Sequence, residues 1–240
     1  ASIRGSVGSY SGSVSAQVGR DLKISGGAIQ TAVSGIDVQV GRDLILENVR
    51  DFGSTLDTFR SLGSIRTLGE SPTGASGMSR YWEYADGGDI RLKVEGSVRG
   101  GVNRSVDANL NAWDFAYGLR VPRTWGASYQ GRDATEGIAT LGGGSIRMLV
   151  GGDFVTQTGT FGKGDFSLFA GGNVDGRFLV KDGEAEIRAM GNMGRGPLVM
   201  VLEAFDARIT AAALGHADIA AIVNPTIARA PFTGTEWELG

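Results

Sequence analysis

Cysteine is absent from the 240 residues, histidine occurs once, at His216, and proline five times. Without cysteine there is no disulfide and no thiolate metal site, a composition that suits either the cytosol or a bacterial exterior. A single imidazole leaves zinc without a second nitrogen ligand. A Ser-His-Asp triad would have to use His216, within Leu214-Gly215-His216-Ala217, and the strained nucleophile turn that goes with such a triad is not found. Positive charge is not concentrated either. Net charge is −3, Lys and Arg are scattered, and no basic stripe offers itself to nucleic acid. The longest apolar run, residues 197–202, is too short to cross a bilayer. No signal peptide stands at Ala1, which begins in mid-pattern, so the chain reads as an excised or processed piece of something longer.

Glycine, in contrast, is abundant at 40 residues, yet 41% of the chain is hydrophobic and the apolar residues are periodic, which separates it from glycine-rich disorder. Six stretches share a nine-residue pattern: apolar and polar in alternation over five positions, two small or polar residues, then Asp, Asn or Ser, then apolar. They are 14–22 (VSAQVGRDL), 36–44 (IDVQVGRDL), 90–98 (IRLKVEGSV), 146–154 (IRMLVGGDF), 166–174 (FSLFAGGNV) and 185–193 (AEIRAMGNM). A degenerate seventh copy is expected from Ala207 (ARITAAALG). Successive starts lie 22, 54, 56, 20, 19 and 22 residues apart, so the short spacings cluster near 20.

Alternation over five residues predicts a strand with one buried face. In the fifth copy Phe166, Leu168 and Ala170 point inward and Ser167 and Phe169 outward. The Gly-Gly-Asn that follows ends the strand, because Gly and Asn both accept left-handed backbone. A unit this short cannot bury its own apolar face and must stack on its neighbours. A sandwich would show turn signals every 8–12 residues, and a propeller blade needs about 40 residues. The spacing predicts an all-β, right-handed parallel β-helix with coils of about 20 residues, forming a single unit over 1–240. Like residues would then form ladders along the coil, with Asp21, Asp43, Asp153, Asn173 and Asn192 stacked at one corner.

Two stretches, at about 50–85 and 103–137, lose the alternation and read as long insertions. Each long gap is either two coils with an enlarged loop or one coil carrying an arm. Residues 197–240 are less regular. Strands are favoured there over an Ala-rich helix at 211–222, and Asn224-Pro225 marks a turn.

Carboxylates stacked on neighbouring coils, such as Asp165 and Glu184, raise the alternative of a polysaccharide-active enzyme, since paired acids about 5–10 Å apart cleave glycosides. The alternation of Glu184 and Glu186 with Ala185 and Ile187 fits a solvated outer face better. The Gly171–Gly176 stretch partly resembles a calcium-binding nonapeptide but lacks its tandem spacing, and corner turns explain it. No cofactor and no metal are expected. The favoured binding residues are aromatics in the irregular stretches: Tyr81, Trp82 and Tyr84 before the third copy, and Trp113, Tyr117, Trp125 and Tyr129 in the second insertion. Rings on loops of a rigid scaffold stack on sugars or anchor protein partners.

The runs GGGSIRMLVGGDF (142–154), GDFSLFAGGNVDGRFLVKDGEAEIRAMGNMG (164–194) and RYWEYADGGDIRLKVEGSV (80–98), with the late VNPT (223–226), resemble the filamentous-haemagglutinin-like large exoproteins of Gram-negative bacteria. The resemblance implies an interior segment of a secreted cell-surface adhesin, exported through an outer-membrane partner by two-partner secretion. It implies a stalk whose loops attach to a glycan or protein receptor on a host or bacterial surface. A filament subunit, assembled end to end, is the alternative. The Asn-Pro motifs of the family's secretion domain are not matched near residue 1, and Asn224-Pro225 lies at the opposite end.

Overall fold

The computed structural model describes residues 1–50, 60–70, 85–100, 137–198 and 200–223, with backbone alone at 48–50, 60–62 and 223. Among them there is no helix. Strands pair in parallel between successive coils, and the chain is a parallel β-helix with three walls.

The first wall consists of the repeated motif. Val14–Val18, Ile36–Val40, Ile90–Val94, Ile146–Val150 and Phe166–Ala170 stack in register, followed by 185–189 and 209–213. The alternation does what a half-buried strand requires: Phe166, Leu168 and Ala170 are buried, and Phe169 faces out. Inside, Val38, Leu92, Met148, Leu168 and Ile187 form one continuous apolar column. Phe154, Phe166 and Phe178 meet in the core. Ring centroids lie 5.8 Å apart for Phe154–Phe178 and 6.1 Å for the edge-on pair Phe166–Phe178.

The second wall starts from the last apolar residue of each motif: Leu22, Leu44, Val98, Phe154 and Val174, all buried. The third wall contains Ala28–Thr31, Ser64–Thr67, Gly137–Thr140 and then 158–160, 178–180 and 202–204. Its column of Thr31, Thr67, Thr140 and Thr160 points inward and is buried. Three of these hydroxyls donate to carbonyls at the following corner: Thr31 to Ser34, Thr67 to Gly88 (2.8 Å) and Thr140 to Gly144 (2.9 Å). Each of these three hydroxyls thereby gives a partner to a corner carbonyl, whereas the buried Thr160 Oγ1 has no hydrogen-bond partner among the described residues.

The corner between the first and second walls is a tight turn in every coil, and the polar residues named from the sequence occupy it. Asp43 N–H donates to Asp21 Oδ1 (3.3 Å), Ser97 N–H to Asp43 Oδ1 (2.8 Å) and Asp153 N–H to Ser97 Oγ (3.1 Å). Asn173 N–H then donates to Asp153 Oδ1 (2.8 Å), Asn192 N–H to Asn173 Oδ1 (2.8 Å) and His216 N–H to Asn192 Oδ1 (2.9 Å). The expected ladder of five thus has seven members, with Ser97 and His216 added. Glycines precede it because the backbones touch: a Cβ on Gly171 would stand 2.2 Å from the Gly151 carbonyl oxygen.

The seventh copy is displaced from its expected start. Ala185 pairs with Ile209, whereas Ala207 pairs with Gly183. Strands rather than a helix continue through Met200–Ala213 and Ile219–Val223.

The stretch at 50–85 is divided. Ser64–Thr67 returns to the third wall, with Ile65 fully buried, so both long gaps are single coils carrying extra chain. Before it, 48–50 pairs antiparallel with Arg60–Leu62, and after it Glu70 and Ala85 form an antiparallel bridge closed by two hydrogen bonds. The segments 51–59 and 101–136 therefore leave between the second and third walls, and 71–84 leaves between the third wall and the next first wall.

Candidate functional site

Because the extra segments all leave from the other two corners, the outer face of the first wall is an unbroken sheet. Two columns of outward side chains run along it. One is Ser15, Asp37, Arg91, Arg147, Ser167, Glu186 and Thr210. The other is Gln17, Gln39, Lys93, Leu149, Phe169, Arg188 and Ala212. Neighbouring rungs of a sheet lie about 4.8 Å apart, so each column presents one side chain per such step.

At the lower end the face is polar. The Gln17 amide donates to Gln39 Oε1 (3.3 Å), and Lys93 Nζ meets Glu95 Oε1 at 2.7 Å. Two shallow depressions of about 340 and 300 Å³ flank these rungs, the first bordered by Gln17, Gln39, Lys93 and Glu95, the second by Ser15, Asp37, Asp89 and Arg91. Higher up the character changes. Leu149 is 50% and Phe169 39% exposed although they are register neighbours, and Arg188 above them is held by Glu186 at 2.8 Å. Arg91 and Arg147 are exposed, adjacent in register, and make no ion pair or hydrogen bond among the described residues.

Several charges elsewhere on the coil are used locally. Arg42 forks the Asp21 carboxylate at the first corner and holds its pKa down at about 2. Asp165, considered above as half of an acid pair, accepts the Glu184 backbone N–H at 3.1 Å and belongs to a second corner ladder with Asp89 and Ser145. Asn173 is bound into the first ladder, and the Asp175 carboxylate accepts the Gly196 N–H at 3.0 Å. Among the described residues no group of three or more His, Asp and Glu side chains is gathered to hold a metal. No helix among them is long and apolar enough to cross a membrane.

The aromatic residues expected to bind, Tyr81, Trp82, Tyr84, Trp113, Tyr117, Trp125 and Tyr129, lie outside the described residues. What the structure gives is the roots of their segments: Glu70 and Ala85 for the first three, Gly100 and Gly137 for the other four. The outer face of the first wall was not singled out from sequence, since its columns join residues from strands far apart in the chain.

No protein-family model matches the chain, no curated protein matches it, and no solved structure matches its fold.

Proposed function

We propose that this chain is a structural and adhesive segment of a secreted cell-surface protein, a rigid β-helical stalk with projecting segments that attach to a surface receptor. On this reading it belongs with the filamentous-haemagglutinin-like exoproteins, and its parent reaches the bacterial surface through an outer-membrane secretion partner. One observation carries the proposal: a parallel stack that runs through every described coil, with the extra chain rooted only at two of its three corners. That arrangement suits a rod that displays segments, because loops on a rigid scaffold hold a binding surface in fixed geometry.

The test is retention of the purified chain on a glycan array and on host cells, with Trp113→Ala/Trp125→Ala as the paired variant. Specific retention that the variant loses is the expected result. A folded parent that nothing retains would leave a stalk without adhesive function. An end-to-end filament is the second reading. It is favoured by apolar side chains on both terminal coils: Val7 and Tyr10 are 50% and 70% exposed, Leu214 and Ile222 73% and 72%. Fibres that grow with concentration in negative-stain images would support it.

A further inference from the structure

We propose that the outer face of the first wall is a binding site for a linear carboxylate-bearing polysaccharide, centred on Arg91 and Arg147 and laid along the helix axis. The site goes beyond the projecting segments, and it rests on the reading of the chain as an adhesive module.

Folding does not call for two arginines stacked on neighbouring strands. Like charges directly opposite on neighbouring strands repel. Arg91 and Arg147 are placed so, with their side chains in solvent; Asp37 lies on the other side of Arg91 in register, but neither arginine closes an ion pair among the described residues. Other arginines either have acidic partners, as Arg42, Arg188 and Arg195 do, or have neighbours in register that are not basic, as Arg99 and Arg208 do. Two free guanidinium forks, one rung apart, are matched by two carboxylates at similar separation, each able to accept a bidentate pair of hydrogen bonds.

The neighbouring column gives the rest of the ligand's character. The half-exposed Phe169 ring offers an apolar face on which a sugar ring stacks, and Leu149 beside it extends that face. Below, the Gln17 and Gln39 amides present donors and acceptors of the kind that sugar hydroxyls pair with. Ser167 follows Arg147 in the first column. A polysaccharide chain brings all three chemistries together at a repeat close to one rung per sugar unit.

Asp37 and Glu186 close off the arginine column at its two ends, two rungs of positive charge and one of serine apart. That excludes a nucleic acid, whose phosphates need a longer basic stripe. It favours a chain whose charges are spaced and interleaved with neutral hydroxyls.

The full chain is tested on immobilised polygalacturonate, with dextran as the neutral control, at low and high salt. The parent should be retained on the uronate, and salt should weaken retention. Arg91→Ala/Arg147→Ala should lose roughly tenfold or more. Arg91→Lys/Arg147→Lys should recover part of it, because charge returns without the fork. Phe169→Ala should weaken binding while leaving the salt dependence in place. These side chains are exposed, so the variants should melt with the parent. Equal retention on dextran, or unchanged retention of the Arg→Ala variant, overturns the proposal. Panel binding lost in Trp113→Ala/Trp125→Ala, without uronate binding, would refute this site and leave the adhesive reading intact. Uronate binding lost in the arginine variant, with cell and array retention unchanged in Trp113→Ala/Trp125→Ala, would uphold this site and refute attachment through those tryptophans.

Discussion

Among the described residues, Glu203 is the carboxylate buried without a hydrogen-bond partner. It sits between Leu202 and Ala204, which pair with the inward Phe178 and Val180, so its own side chain points outward from the third wall. Even so it is fully buried, next in register to the equally buried Leu179, and its carboxyl has no hydrogen-bond partner among the described residues. Burial pushes its pKa up to about 8, against the smaller opposing pull of Arg177. The carboxyl is therefore largely protonated at neutral pH in the folded chain and ionised in the unfolded one. An acid whose pKa rises on folding favours the native state most at low pH. That advantage is lost between the ordinary glutamate value of 4.5 and about 8, by at most about 1.4 kcal/mol for each pH unit. Glu203→Gln should flatten this loss. Urea unfolding at pH 5 and pH 9 should show the parent weakening more than the variant, and equal slopes for the two would mean that Glu203 is ionised when folded.

At the scale of the element, the first corner joins coil to coil through side-chain oxygens that accept backbone N–H groups. Asn173 takes part four times: its N–H and its Nδ2 donate to Asp153 Oδ1, and its Oδ1 accepts from both the N–H and the Nδ2 of Asn192. Asn173→Ala leaves that N–H and the half-buried Asp153 carboxylate short of partners, and should cost about 1–3 kcal/mol in chemical denaturation. Loss below a few tenths would show that water replaces the ladder.

This corner was legible in the sequence because it needs one kind of residue at one place in every coil. The first wall was legible for a related reason, since solvent on one side and core on the other write a period of two. The third wall was not. Its inward threonines look polar on paper, and in Gly137–Thr140 every residue is buried, so the alternation vanishes. Ser64–Thr67 was lost inside an apparent insertion on this account. The seventh copy slipped from Ile209 to Ala207 because a shift of two keeps the same side chains facing inward, and the Ala-rich run fits either register. The outer columns of the first wall needed register itself, which joins Arg91 to Arg147 across 56 residues of chain.

Over the whole molecule, stability is shared between neighbouring coils more than across distant ones. Core residues of the middle coils, such as Leu92 and Leu168, are buried, whereas Val14, Ala16 and Val18 of the first coil are only half-buried. Amide exchange should follow that gradient. Residues 14–18 should exchange well before 146–150 and 166–170, and uniform protection would show that the stack opens only as one cooperative body.

The first-corner ladder also has a direction in time. Every bond in it runs the same way, with a side-chain oxygen of an earlier coil accepting an N–H from a later one. The acceptors are thus in place before the donors that need them. A chain released N-terminus first meets a finished template at each turn, and its growing front is always primed for the next coil. The same rod begun from the other end would expose rows of N–H groups with nothing yet to receive them.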